Sequence, residues 1–246
     1  MRLCELKTFS TLLRYIDSEA DLDTAIKALV IATTNPPLFY PDIIKHGCSA
    51  SLCSLLSHEN VDIAASVTEL LEELSDDDVL DAGEEGRTEA ERETTQRKGE
   101  ECMNNLVESL LEQSLVDLLV QNLLRLNDDT SQVDQNTDRS SLLVSSDAGA
   151  IYHLLGLIEN LVSLQSPLAM TFLSNNALLD WLLKRITRKG TFDQNKAYAG
   201  ELLGIMMQAV SSLGDNKEDC IRLFGERDGI AKTLEVLAVS VRTEDR

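Results

Sequence analysis

The sequence predicts an all-α fold built of repeated helices, and three observations carry that expectation. The chain of 246 residues holds 42 leucines against 10 aromatic residues, 12 glycines and 4 prolines. Leucine keeps helix propensity while filling the gaps between neighbouring helices, whereas sheets draw on β-branched and aromatic residues. The apolar residues recur at helical spacing in segment after segment, and a short leucine-rich helix followed by a longer one comes back along the chain.

Taken in order, an opening helical pattern runs through Leu22, Ile26, Leu29 and Val30 and stops at Asn35-Pro36-Pro37, because proline cannot continue the backbone ladder. A short helix is expected around Leu52, Leu55 and Leu56. The turn Ser57 to Asn60 then leads into a longer helix with Val61, Ala64, Val67, Leu70, Leu71 and Leu74 on one face. The grammar recurs with Leu115, Leu118, Leu119 and Leu123 before a helix Ala150 to Leu164. It recurs again with Leu178, Leu179, Leu182 and Leu183 before a helix Ala197 to Leu213. A fourth unit opens at Asp228-Gly229-Ile230 with Leu234 and Leu237. Repeats of this kind, stacked through apolar faces, make an armadillo/HEAT-like superhelical solenoid spanning 1–246 as a single domain.

Unit starts lie farther apart than the roughly 40 to 47 residues of plain armadillo or HEAT repeats. The excess falls in two polar inserts, 75–101 and 127–147. The first carries 11 acidic and 4 basic residues, and the second is rich in Asp, Ser, Asn and Gln. With little apolar periodicity to offset ordering entropy, both are expected to be mobile loops. A third connection, Thr187 to Lys196, is shorter. The chain ends at Val241 to Arg246 without a polar capping repeat, so the solenoid is expected to be C-terminally incomplete.

The formal charge of -20, from 42 acidic and 22 basic residues, repels phosphate backbones and attracts basic segments, which disfavours direct nucleic-acid binding. The five cysteines, Cys4, Cys48, Cys53, Cys102 and Cys220, are scattered and form no C-x-x-C pair. Neither a zinc knuckle nor a disulfide framework is encoded, and a reducing compartment is expected. No apolar run reaches the roughly 18 residues of a membrane span. No phosphate-binding glycine loop, H-E-x-x-H or G-x-S-x-G is present, so no cofactor or metal is expected and an enzyme has little to support it. The histidines His46, His58 and His153 read as turn or helix-surface residues, with His58 leading into an N-cap at Asn60.

What lies opposite the leucines points to binding. Asp62, Ser66, Glu69 and Glu73 fall at spacings of four, three and four, one polar stripe along a helix. His153, Gly156, Asn160 and Ser163 repeat the pattern, as do Glu201, Gly204, Gln208 and Ser211. Two readings stand: ordinary solvent-facing sides, or the floor of a groove for an extended basic peptide, where carboxylates pair with Lys or Arg and amides bond its backbone. The helix glycines Gly156 and Gly204 point to close packing or close approach by something. Trp181, the single tryptophan, is either a platform for a lysine stem or a packing residue between units. Lys184, Arg185, Arg188 and Lys189 read either as a localisation signal or as cations favoured at a helix C-terminus.

These residues resemble the beta-catenin-like protein 1 family. The resemblance rests on Leu55 to Asp62 with Glu69 to Leu74, on Glu84-Glu85-Gly86, on Leu118 to Leu123 and on Ile158-Glu159-Asn160. Leu178 to Arg185 leading into Phe192 to Lys196, and then Asp228-Gly229-Ile230, complete it. Order and spacing hold from about Glu19 to Val239. Arg87 to Gly99 and Asn136 to Asp147 are departures that lengthen loops, and the family's later repeats and basic N-terminal region are absent. The resemblance implies a nuclear armadillo-type scaffold of the spliceosome-associated NineTeen complex, acting in pre-mRNA splicing. It also implies recognition of nuclear-localisation-type basic segments in partners such as the cell-division-cycle-five-like splicing factor. The alternative is a general cytoplasmic armadillo-type adaptor unrelated to splicing.

Overall fold

The computed structural model describes residues 2–81, 89–126, 138–189, 193–212 and 217–244. All regular structure among them is helical: twelve α-helices and two short 3-10 segments, with no strand. The chain forms two compact units, Met1–Leu118 and Leu119–Arg246.

In the first unit, α1 (Arg2–Ala28) passes into a 3-10 segment, Leu29–Thr34, and α2 (Pro36–Lys45) starts at the two prolines. The prolines thus end one helix and begin another, since the first turn needs no amide hydrogen from them. Gly47, at φ 71°, takes the left-handed turn into α3 (Cys48–Leu55). The longer helix, α4 (Val61–Ser75), is capped by Asn60, whose side chain accepts from the Asp62 amide at 3.0 Å. The His58 ring nitrogen in turn accepts from the Asn60 amide at 3.0 Å, so the turn-and-cap reading of His58 holds.

The leucine face of α4 is the core of this unit: Ile63, Ala64, Val67, Leu70, Leu71 and Leu74 are all buried. Tyr40 of α2, wholly buried, donates its hydroxyl hydrogen to the Leu74 carbonyl at 2.8 Å, so α2 closes the C-terminal end of α4.

The insert at 75–101 is not a loop throughout. A 3-10 segment covers Asp77–Asp81, and α5 (Glu89–Leu111) takes its second half; residues 82–88 lie outside the described residues. Met103, Leu106, Val107 and Leu110 anchor α5 in the core. The polar run before them continues the same helix, because Glu, Arg, Lys and Gln are good helix formers once a nucleus exists. Ser114, at φ 59°, turns the chain into α6 (Leu115–Arg125).

The second insert, 127–147, is corrected in the same way. Its last ten residues belong to α7 (Asp138–Leu164), and 127–137 lie outside the described residues. A short α8 (Leu168–Ser174) precedes α9 (Asn176–Thr187) and α10 (Gln194–Ser212), and α11 (Lys217–Glu226) precedes α12 (Gly229–Glu244). In chain order the elements therefore read as triplets, α2-α3-α4 and α8-α9-α10 being the clear cases. The extra spacing between leucine pairs is partly a third helix.

The second unit is cored by α7, buried nearly all round from Ala150 to Val162, and by Leu178, Leu179, Leu182 and Leu183 of α9 against Leu202, Leu203 and Met206 of α10. Its tightest corner joins α11 to α12. Asp228 is left-handed at φ 55°, and a Cβ built on Gly229 would lie 2.7 Å from the Phe224 ring. Gly229→Ala is expected to destabilise this unit by about 1–3 kcal/mol, the usual range for forced overpacking, read by urea unfolding. An unchanged midpoint would mean that the Phe224 ring yields freely.

Candidate functional site

The polar stripes lie on helices whose opposite faces are buried, so each is presented by core packing. On α4, Asp62, Glu69 and Glu73 are exposed and Ser66 is half-buried. Ser66 is half-buried because α1 lies against this face. Its hydroxyl donates to one Asp23 carboxylate oxygen at 2.6 Å, and Lys27 donates to the other at 2.7 Å. These two hydrogen bonds hold the Asp23 carboxyl below the usual aspartate range. The bond to Asp23, with smaller contributions from the charges of Asp23, Glu69 and Asp62, raises Lys27 above the ordinary lysine range. Asn60 at the head of the same face donates to Glu19 of α1 at 3.0 Å. Part of the α4 stripe is thus met from within the chain, and a cation already stands near Glu69. Glu73, farther along, is open.

On α7 the stripe is less exposed than its spacing suggests. Gly156 is buried, His153 and Asn160 are half-buried, and only Ser163 is exposed. His153 meets Tyr152 edge-on with ring centroids 5.9 Å apart, and Tyr152 reaches Tyr198 of α10 at 5.0 Å.

On α10, Glu201, Gly204, Gln208 and Ser211 are all exposed. A Cβ at Gly204 would meet nothing within 4 Å, so close packing does not explain that glycine. Trp181 of α9 is half-buried.

The basic cluster divides. Arg185 is 3% exposed and its guanidinium donates to Asp193 at 2.6 Å, so it is part of the framework and not of a localisation signal. Lys184 and Lys189 are exposed, and Lys184 and Arg185 lie in the last turn of α9. The same Asp193 oxygen accepts the Lys196 amide hydrogen at 3.0 Å and so caps α10. Asn195 donates to the Ala148 carbonyl of α7 at 2.8 Å, and Lys196 donates to the Arg188 carbonyl at 2.7 Å. The residues from Asp193 to Lys196 that stand out in the sequence are thus the joint holding α7, α9 and α10.

A fourth polar stripe is present among the described residues. On α5 and the turn after it, Glu101, Asn105, Glu108 and Glu112 repeat the four-three-four spacing of α4, and all four are exposed. The spacing was there to find, but its first member falls in the segment read as a loop.

Among the described residues, only Asp76, Asp77 and Asp78 bring three potential metal ligands together, and two of them are exposed. No helix among these residues is long and apolar enough to cross a membrane.

Residues 11–245 match the family model described as "Catenin-beta-like, Arm-motif containing nuclear". The chain is 32% identical over 229 residues to beta-catenin-like protein 1 of Rattus norvegicus, and equally to that of Homo sapiens, covering 93% of this chain and 34% of each relative. It is 30% identical over 195 residues to the beta-catenin-like protein 1 homolog of Schizosaccharomyces pombe, covering 79% of this chain and 28% of the relative. The chain therefore spans about a third of the length of the curated relatives it matches.

Proposed function

The chain belongs to the catenin-beta-like, Arm-motif-containing nuclear family, and from that premise we propose that it is a nuclear protein-binding scaffold that takes basic, nuclear-localisation-type peptide segments on its acidic helix faces. Its setting is the spliceosome-associated NineTeen complex, with partners such as the cell-division-cycle-five-like splicing factor. Arm-type helical repeats stack into extended binding surfaces, which supports the scaffold reading.

The observation that carries the peptide reading is the outward presentation of Glu69 and Glu73 on α4 and of Glu201 and Gln208 on α10, in a chain of net charge -20. Exposed carboxylates a helical turn apart suit Lys or Arg side chains of an extended segment, and an exposed amide suits its backbone. Rim charges act mostly on association rate and salt dependence. The α4 face is the better defined of the two, because α1 fixes one edge of it through Asp23 and leaves Glu73 open.

Charge reversal at Glu69 and Glu73 together, or at Glu201, is expected to weaken a fluorescently labelled basic peptide by about three- to tenfold at low salt and to flatten its salt dependence. Fluorescence anisotropy across a salt series reads both. Affinity and salt slope equal to the parent would remove these faces as the binding site. The splicing assignment is tested separately, by affinity purification from nuclear extract, where recovery of no splicing factor would overturn it.

A further inference from the structure

In the first unit α2 and α5 enclose an open hollow of about 440 Å3. Ile44 of α2 and Cys102 of α5 form its half-buried apolar floor with the exposed Pro41 beside them, while Glu108 and Glu112 line it from α5 and Lys45 lines it from α2. Ile44 and Cys102 are half-buried, while both glutamates and Lys45 are exposed. The floor is held in place from behind, because Ile43 of α2 and Met103, Leu106 and Val107 of α5 are buried. The hollow is separate from the stripe on α4, and nothing in the basic-peptide reading above uses it.

We propose that this hollow is a second docking site, for a partner protein segment that presents one aliphatic side chain flanked by lysine or arginine. The floor takes the aliphatic group: a methyl-bearing side chain there covers Ile44, Pro41 and the Cys102 thiol, which water otherwise wets. The two glutamates select the flanking charge. Glu108 and Glu112 are one helical turn apart on the same face, so a cation beside the anchor reaches one or both carboxylates. Lys45 opposes a cation on its own side and thereby sets the direction in which the segment lies. The acidic balance of the chain argues against an acidic segment, a nucleic acid or an anionic lipid surface in the same place.

The test uses the full chain and a labelled peptide with a central leucine flanked by lysines, alongside two controls in which the leucine is replaced by serine or the lysines by glutamates. The labelled peptide is expected to bind, and both controls to bind at least about tenfold more weakly. Glu108→Lys with Glu112→Lys is expected to weaken the leucine-lysine peptide at least about tenfold, and Glu69→Lys with Glu73→Lys to weaken it less while leaving its advantage over the serine control unchanged. Cys102 gives an independent readout. Saturating peptide is expected to slow iodoacetamide modification of Cys102, followed by peptide mass spectrometry, while Cys48, half-buried outside the hollow, reacts at its unliganded rate. Unchanged binding by the Glu108/Glu112 variant, equal loss in the Glu69/Glu73 variant, or no protection of Cys102 would each overturn the proposal. Failure of the Glu69/Glu73 variant alone to affect a basic peptide would bear only on the α4 face.

Discussion

Asp193→Ala is expected to destabilise the second unit by about 3 kcal/mol, because one carboxylate has two structural duties that alanine cannot perform. The Arg185 side chain is 3% exposed, and Asp193 receives its guanidinium at 2.6 Å while remaining 36% exposed itself. Breaking a fully buried ion pair by removing one partner costs about 3–5 kcal/mol. Partial solvation of Asp193 lowers that contribution, to about 2 kcal/mol. Loss of the helix cap on the Lys196 amide adds about 1 kcal/mol. Asp193→Asn keeps an oxygen for the cap and loses the charge, so its cost falls between parent and alanine. Arg185→Met, which removes the buried charge altogether, is expected to cost less than Asp193→Ala and to suppress most of the effect of Asp193→Ala when the two are combined. A double-mutant cycle by urea unfolding measures the coupling. A cost below about 0.5 kcal/mol for Asp193→Ala would show that water replaces the carboxylate at Arg185.

That joint also shows what the sequence could and could not disclose. The helices α3, α4, α6, α9 and α10 were legible because each carries leucine or its equivalents at one-turn spacing on a buried face, and α12 carries the same spacing although Ile230 and Leu234 are exposed. Four helices were not. In α2 the paired prolines read as a stop, although proline at the first helical positions is also a start, and Pro41 lies inside the helix. The first half of α5 has no apolar face of its own and is helical as an extension of the buried stretch from Met103 to Leu110. The helix α8 has seven residues, too few to show a period, and α11 gathers its apolar residues between Cys220 and Phe224, within little more than one turn. Local pattern reports a helix that buries a stripe and is silent about one propagated from a neighbour.

The candidate faces divide along the same line. Spacing alone identified the stripes on α4 and α10, since it fixes which residues share a helix face. It could not show that α1 would bring Asp23 to Ser66 at 2.6 Å and Lys27 beside Glu69, because those partners lie some forty residues apart in the chain. Nor could it show that α7 is enclosed on nearly every side, which turns a polar stripe into two half-buried residues and a buried glycine. The tyrosine contact between α7 and α10 is likewise a product of tertiary packing.

The largest single loss in the first unit is expected at Tyr40, which closes the end of α4 and is wholly buried. Tyr40→Ala removes a large core side chain and leaves a cavity, at a cost of about 3–5 kcal/mol. Tyr40→Phe isolates the hydroxyl. The Leu74 carbonyl, one of the last carbonyls of α4 and without an intrahelical donor, loses the hydrogen bond it accepts at 2.8 Å, at a cost of about 1–2 kcal/mol. The hydroxyl also confers a pH dependence whose sign follows from its environment. Burial, and then the negative charge of Asp76, push the Tyr40 phenol above its ordinary value of 10.0. A folded-state pKa raised above the unfolded one gives stability that is fully present below about pH 10. It is lost as pH rises beyond that, since the unfolded chain releases a proton that the folded chain retains. Urea unfolding of the parent and Tyr40→Phe at pH 8 and at pH 11 checks this: the advantage of the parent is expected to shrink at the higher pH. An advantage that stays constant would mean that the hydroxyl is solvated, and the closure of α4 by α2 would then rest on the ring alone.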